Sequence, residues 1–375
     1  MFLFWYDPLT LMAMFIAYIV GYIALFIIAE AIAPKVASRL SNRFTLHTSM
    51  FIAMAIVLIG GFASIYLIST LIVEVAGLSP YLLEGLILFI VIMNIITYII
   101  SPYMINLFYG AKPDSRLQEI VDSVARRAGL KPPKAVVVEG PPNAFAYGNF
   151  LTGRYVAVSS SMLGLVNRSE LEAVIGHELG HHKHRDTVIL LLMGLIPSVL
   201  YYLGIILIRT GLIGGMTRSE RREGGGGPVL MLIGIASIIL SFIMQILILT
   251  FSRLREYYAD AHGALVAGAK NMQRALAKLH IYYHSYPEAR EYIHNSKLKT
   301  LFIYALVNTV ANPYYDYIPY HGNRSRRYHE TNIDRVIEIL KREKTNPALE
   351  VFSSHPPIPK RIRFLDKVVV EDIRA

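Results

Sequence analysis

The chain contains no cysteine, and only 17% of its 375 residues are charged. The absence of cysteine excludes disulfides, thiolate metal sites and a cysteine nucleophile. Soluble domains carry about 25% charged residues, so the low charge argues against a soluble enzyme and against a disordered chain. Acidic residues are outnumbered, 27 against 37 basic ones. The basic residues lie between and after the apolar segments, which indicates contact with anionic lipid and not with nucleic acid.

Hydrophobic residues form 54% of the chain and are concentrated in five long segments. Each segment exceeds about 20 residues, which is long enough to cross about 30 Å of hydrocarbon as a helix. The sequence therefore predicts a mainly α, multipass membrane protein of the plasma membrane. The first segment is interpreted as a retained anchor because no Lys or Arg precedes it. The segments are 9–33, 49–73, 85–109, 187–208 and 229–251.

The distribution of basic residues predicts the orientation of the chain. Lys and Arg are absent between the second and third segments but common after the third. This predicts an external N-terminus, with residues 110–186 and 252–375 in the cytosol. The loop Arg209–Gly227 disagrees, because it is rich in arginine and yet falls outside in this scheme. Either the apolar segments override the charge rule, or residues 187–251 form a hairpin that does not fully cross.

This pattern divides the chain into four parts. We predict three transmembrane helices in 1–109, the first half of a soluble domain in 110–186, a transmembrane hairpin in 187–251 and the second half of that domain in 252–375. Hydrophobic periodicity and turn residues predict the smaller elements. These are a helix from Asp114 to Gly129, a strand Ala135–Val138, a hairpin of Phe145–Tyr147 and Tyr155–Val158, and helices from Ser169, from Ser252 to about Tyr283, and near Ile333–Lys341.

Residues 177–182 read His-Glu-Leu-Gly-His-His and contain the pattern H-E-x-x-H. On a helix, His177 and His181 share one face, so both imidazoles can bind one metal ion. Glu178 can face the open coordination position and take a proton from water. Two nitrogens and a carboxylate suit Zn²⁺. The alternative is a solvated cluster of His and Glu at a membrane surface.

A third ligand must come from another part of the chain, and residues 252–260 supply a candidate. Because the fourth and fifth apolar segments return the chain to the same membrane face, Glu256 can meet His177 and His181. Asp260 lies one helical turn further and can accept an N–H from a ligand histidine, which fixes its tautomer. The competing interpretation treats both acidic residues as surface charges paired with neighbouring arginines.

Other polar residues near the motif receive less specific interpretations. His182 lies about 100° round the helix from His181 and is interpreted as a surface residue or as support for a ligand. His184 is interpreted as a surface residue. Asp186 begins the fourth apolar segment and either supports a ligand or caps a helix.

Four segments together resemble the HtpX-type membrane zinc metalloproteases, a gluzincin family related to the CAAX prenyl proteases. Their order and approximate spacing are similar to those of the family, over residues 100–265 and 350–365. The family usually has fewer membrane segments, so the additional N-terminal pair is a departure. The four segments are Pro142 to Ala146, Glu170-Leu171 with Val174 to His181, Ser252-Arg253 with Glu256-Tyr257 and Ala259-Asp260, and Ser354 to Pro357 with Arg361-Ile362.

The resemblance implies a zincin-like α+β metalloprotease domain at the cytosolic face. It implies that His177, His181 and Glu256 bind zinc, and that Glu178 is the general base and then the general acid. His355 would donate to the oxyanion, and Arg361 would hold acidic residues of the site. Asn143, Ala144 and Phe145 would line the cleft, where an extended substrate adds as a strand.

The resemblance also implies a substrate class, namely misfolded or damaged membrane proteins and unfolded polypeptides, in stress quality control. Lipid is the other expected partner, and the oligomeric state is not predicted. One alternative is a processing protease for lipidated peptides. Another is a metal-binding scaffold or a zinc transporter, although a transporter needs ionisable ligands inside its membrane segments.

Overall fold

A computed structural model describes residues 43–74, 78–216, 226–286, 332–345 and 354–368. The first apolar segment, 9–33, lies outside the described residues, as does most of 285–350. In chain order the elements are α1 (Arg43–Glu74), α2 (Pro80–Phe108), β1 (Lys112–Pro113), α3 (Ser115–Arg127), β2 (Lys134–Val138), β3 (Ala144–Asn149), β4 (Gly153–Ser159), α4 (Ser160–Leu165), α5 (Arg168–Lys183), α6 (Asp186–Met216), α7 (Gly226–Ala267), α8 (Ala269–Ser285), α9 (Ile333–Arg342) and α10 (Ile358–Leu365).

Four helices in the described part of the chain are long and apolar enough to cross a membrane. They contain the second to fifth apolar segments, so the mainly α membrane fold is confirmed. The predicted helix from Ser252 to about Tyr283 is wrong as a single element. Its first part continues α7, and the chain turns at Gly268, whose φ of +91° is in the left-handed region. Glycine adopts that conformation without a steric penalty, and α8 begins at the next residue.

Two compact units can be distinguished within the chain. The first includes Thr48–Ile95 and Leu192–Phe251. Its helices approach closely at small residues: a Cβ added to Gly204 would lie 2.7 Å from the carbonyl oxygen of Gly234. Small residues of this kind drive helix association in membranes. The division into four parts made from the sequence stays a prediction.

The second unit contains a four-stranded sheet in the order β1-β2-β4-β3. The predicted hairpin is confirmed, because β3 and β4 pair antiparallel, with Asn149 opposite Gly153. β2 runs parallel to β4, which leaves β3 at the edge of the sheet. One face of the sheet packs on α3 and α5 through Ala135, Ala144, Val156 and Val158. The opposite face packs on Ile105 of α2 through Val136, Val138, Phe145, Tyr147 and Ala157.

The helix α5 carries the H-E-x-x-H motif, and its N-terminus is closed by a capping box. The Asn167 side chain accepts from the backbone N–H of Glu170, whose carboxylate accepts from the backbone N–H of Asn167. Lys278 of α8 also binds that buried carboxylate at 2.6 Å. These contacts fix the start of the helix. They therefore also fix the directions in which the side chains of the H-E-x-x-H motif project from it.

Glycines allow α5 and α7 to pack almost backbone to backbone. A Cβ added to Gly176 would lie 3.1 Å from the Cα of Gly263, and one added to Gly180 would lie 3.1 Å from the Cα of Ala259. Each of the two glycines immediately precedes one histidine of the H-E-x-x-H motif on α5. The close approach therefore brings the histidines within reach of side chains from α7.

The replacement Gly263→Ala tests this packing. The added methyl would lie 2.6 Å from the carbonyl oxygen of Ala173, so the helices must separate. We expect a loss of about 1–3 kcal/mol in the free energy of unfolding, as for other overpacked cores, together with weaker metal binding. Gly164→Ala is the matched control, because a Cβ there meets nothing within 4 Å. Equal behaviour of the two variants in denaturant and metal titrations would contradict the packing argument.

Candidate metal centre

Three buried side chains from two helices converge on one point. His177 and His181 of α5 and Glu256 of α7 bring one potential ligand atom each within 4.8 Å of the others. The Nε2 atoms of the two histidines are 3.2 Å apart. Each also lies 3.5 Å from an oxygen of Glu256. The structure thus brings together the three residues that the sequence predicts as metal ligands.

The spacing of these atoms fits a small divalent cation. Metal–ligand bonds of about 2.0–2.1 Å, as in zinc sites, separate the corners of a tetrahedron by about 3.3 Å. Both histidines have a carboxylate at Nδ1, which holds a proton on Nδ1 and leaves Nε2 to face a cation. The two Nε2 atoms and the Glu256 carboxylate lie so close together that the arrangement favours a positive charge among them.

His177 is held by a chain of buried charges. Its Nδ1 donates to Asp260 at 3.0 Å, and Arg361 donates through Nε to the other Asp260 oxygen at 2.7 Å. Burial lowers the pKa of His177, but Asp260 and Glu256 outweigh burial and raise that pKa to about 9. The centre therefore favours positive charge.

His181 is held by a second chain of the same kind. Its Nδ1 donates to Asp186 at 2.6 Å, and Asp186 forms an ion pair with Arg255. Glu256, Asp260 and Arg255 are all buried, so the alternative in which the two acidic residues are surface charges paired with neighbouring arginines is wrong. Each histidine is thus oriented by an aspartate that a buried arginine neutralises, an arrangement that fixes the tautomer and raises ligand basicity.

Glu178 lies on α5 beside the ligands and is buried. Burial raises the pKa of Glu178, while the charges of His177 and His181 and an N–H bond from Ala146 lower it. Ala146 belongs to the edge strand β3. A single backbone contact thus ties the carboxylate to the strand, and Ala146 is outside the set of residues that the sequence predicts for the site.

His355 reaches the same centre from the segment before α10. Its Nε2 lies 3.4 Å from Glu256, and its Nδ1 lies 2.9 Å from the hydroxyl of Ser354. Burial lowers the pKa of His355 to about 4, so the imidazole is neutral. Arg361, the fourth residue of α10, also lies 3.8 Å from Glu256.

Of the three residues predicted to line the cleft, Asn143 and Phe145 make structural contacts, whereas the backbone of Ala144 faces the edge of the sheet. Asn143 and Ser159 exchange hydrogen bonds at the start of the β3–β4 pair. The side chain of Phe145 is 1% exposed and belongs to the core under the sheet. Because hydrogen-bonded pairs alternate along an antiparallel ladder, Ala144 and Ala146 direct their backbone groups away from β4, toward the edge.

Two histidines beside the site have structural partners. His182 is buried and donates to the carbonyl of Tyr155 at 2.8 Å, so its interpretation as a surface residue is wrong. Burial lowers its pKa to about 4. His184 is half-buried, and its ring lies edge-on to Tyr258 at 4.1 Å.

Comparison with known proteins agrees with this geometry. Residues 111–369 match the family model described as Peptidase family M48. With its buried H-E-x-x-H centre and membrane-length helices, the chain is a membrane metalloprotease. The chain belongs to peptidase family M48 and, within it, to the HtpX-type proteases, as the resemblance of its four motifs predicts.

Two relatives and one solved structure define the similarity. The chain is 52% identical to the "Protease HtpX homolog" of Pyrobaculum aerophilum over 87% of this chain and 88% of that one. It is 50% identical to the homologue of Archaeoglobus fulgidus, with the same coverage. The crystal structure of S. mikatae Ste24p matches with a TM-score of 0.50, 19% identity, and coverage of 86% of this chain and 67% of that chain. This last match supports a shared fold.

Proposed function

We propose that the protein is a zinc-dependent endopeptidase that cleaves misfolded or damaged membrane proteins. The observation that carries the proposal is the triangle of His177, His181 and Glu256, with spacings of 3.2 to 3.5 Å. When bound there, zinc supplies Lewis-acid polarisation of a carbonyl and lowers the pKa of a water.

The residues of the chain divide the remaining work. Glu178 accepts the proton of the attacking water and then delivers it to the leaving amine. His355 donates a hydrogen bond to the oxyanion that develops on the scissile carbonyl. Asp260 and Asp186 hold the two histidines with Nε2 directed at the metal. The close contact of α5 and α7 keeps this set in place before substrate binds.

The edge of β3 is the proposed substrate site. A segment added as a strand pairs with the backbone groups of Ala144 and with the carbonyl oxygen of Ala146, whose N–H bonds Glu178, so its scissile bond would lie beside Glu178. Main-chain pairing selects extended polypeptide and shows little preference for side chains. That selectivity suits unfolded substrates better than one processed peptide. It favours quality control over the processing of lipidated peptides, with the site at the cytoplasmic face.

The test uses purified protein in lipid nanodiscs and two substrates, unfolded casein and a destabilised membrane protein. We expect zinc-loaded protein to cleave both, a chelator to stop cleavage, and zinc to restore it. Cleavage that persists after the metal has been removed would overturn the proposal. Cleavage of a lipidated peptide alone would favour the processing enzyme.

Replacement of His355 tests its assignment to the oxyanion. For His355→Ala we expect kcat to fall about 10²-fold, with little change in KM or zinc content. His184→Ala is the control, because that ring lies edge-on to Tyr258, outside the centre. If His355→Ala lost bound zinc and kept its kcat, the role of His355 would instead be to position Glu256.

A further inference from the structure

The turn between β3 and β4 exposes two consecutive large apolar side chains. Phe150 is 76% exposed and Leu151 is 60% exposed. Turns of hairpins in water are built mainly from Gly, Asn, Asp, Ser and Pro. Single exposed apolar residues are normal, but an aromatic and a leucine together at a turn form an apolar tip.

The polar groups beside this tip are satisfied internally. The Asn149 side-chain oxygen accepts from the backbone N–H groups of Leu151 and Thr152, both at 2.9 Å. Its amide donates to the carbonyls of Tyr98 and Ile99 of α2, at 3.2 and 2.9 Å. Backbone groups enter hydrocarbon only when they are paired in this way.

These contacts place the tip against a membrane-length helix. The helix α2 has 29 residues, so it is about 43 Å long, while the hydrocarbon core is about 30 Å thick. A bilayer whose hydrocarbon core is centred on α2 has Tyr98 and Ile99 within that core. The side chain of Tyr98 also bonds Thr187, in the first turn of α6. The tip is therefore level with residues that border or enter the bilayer.

Exposed basic side chains flank the apolar tip. Lys134 lies 3.4 Å from the carbonyl oxygen of Thr152 and from the hydroxyl of Tyr155. Arg154 is exposed, opposite Gly148 in the ladder. An apolar tip with cations just behind it matches a bilayer, where hydrocarbon lies beneath anionic headgroups.

From these observations we propose that the β3–β4 turn is a membrane anchor, in which Phe150 and Leu151 enter the lipid while Lys134 and Arg154 bind its headgroup phosphates. The helix α2 also exposes apolar side chains close in sequence to this contact, with Ile100 45% and Tyr103 58% exposed. The occupant is lipid, because the tip is joined to a helix that itself faces lipid.

The absence of cysteine makes the test direct, since one introduced cysteine carries the only label. Phe150→Cys is labelled with a nitroxide in vesicles of phosphatidylcholine and phosphatidylglycerol. Its collisions with dissolved oxygen and with a neutral water-soluble paramagnetic complex are compared. Phe89→Cys on α2 is the lipid-facing control, and Arg116→Cys on α3 is the water-facing control. Glu178→Gln serves as the background, so the result is independent of proteolysis.

We expect the label at position 150 to behave like the label at position 89. It meets oxygen often and the water-soluble complex several-fold less than position 116 does, at a depth of about 5–10 Å. Free collision with the complex would overturn the anchor. Exclusion of both reagents would also overturn it, because this pattern indicates a protein contact, such as a second copy of the chain.

The anchor has a consequence for substrates that rests on the proposed function. The strand β3 joins the tip to Ala146, which bonds Glu178, so a paired segment would pass from lipid to the metal centre. The double replacement Phe150→Ser and Leu151→Ser should lower cleavage of a bilayer-anchored substrate several-fold and leave casein cleavage intact. Equal loss on both substrates would contradict this consequence and leave the labelling result standing.

Discussion

Glu178→Gln abolishes peptide-bond cleavage and leaves the metal in place. A glutamine amide cannot take a proton from water, so we expect kcat to fall by up to about 10⁴-fold. The amide oxygen can still accept the N–H of Ala146, and the ligands His177, His181 and Glu256 are unchanged. The measurement is single-turnover cleavage of casein, with zinc content determined on the same sample.

Glu172→Gln is the matched control on the same helix. Glu172 binds Arg127 at 2.6 Å and Arg168 at 3.4 Å, away from the metal centre. We expect kcat within about twofold of the parent protein, because surface pairs contribute little. Comparable activity of Glu178→Gln and Glu172→Gln, at full zinc occupancy, would remove Glu178 from the mechanism.

Arg361→Gln destabilises the second unit and weakens zinc binding. Arg361 and Asp260 are both fully buried and ion-paired, so removal of the cation leaves a carboxylate without its principal counter-charge. Breaking such a buried pair costs about 3–5 kcal/mol. Since Asp260 also orients His177, zinc affinity should fall about 10–100-fold. Denaturant titration and chelator competition measure the two effects.

Arg363→Gln on the same helix separates this effect from a general loss of positive charge. Arg363 donates to the carbonyls of Lys341 and Glu343 at 3.0 and 2.9 Å and is partly exposed. It should lose less stability than Arg361→Gln and keep the parent zinc affinity. Equal zinc affinities for the two variants would show that Arg361 does not support the metal centre.

The features accessible from the sequence are those set by local rules. An apolar segment of more than about 20 residues can satisfy its backbone in lipid only as a helix, and the described helices follow those segments. The H-E-x-x-H spacing acts within one helix, so His177 and His181 share a face wherever that helix lies. Glu256 was accessible through the resemblance and through the return of the chain by α6 and α7.

Features that depend on tertiary packing were not accessible in the same way. Arg255 is charged, and from the sequence alone a charged side chain is expected at the surface. Asp186 becomes its partner only because α7 approaches the start of α6. Gly268 lies within a helical pattern, and only the structure shows the positive φ that separates α7 from α8. Ala146 contributes a backbone N–H, and no side-chain pattern records such a contact.

The order of the metal ligands along the chain has a consequence for the biogenesis of the protein. Two ligands precede the helices α6 and α7, and the third, Glu256, lies within α7 after its apolar segment. Because metal binding requires all three, its free energy becomes available only after α6 and α7 have been threaded and paired. We therefore expect membrane insertion to act as a checkpoint, because a chain whose α6 and α7 are not yet paired lacks a complete set of metal ligands. Tight zinc retention by uninserted chains would contradict this expectation.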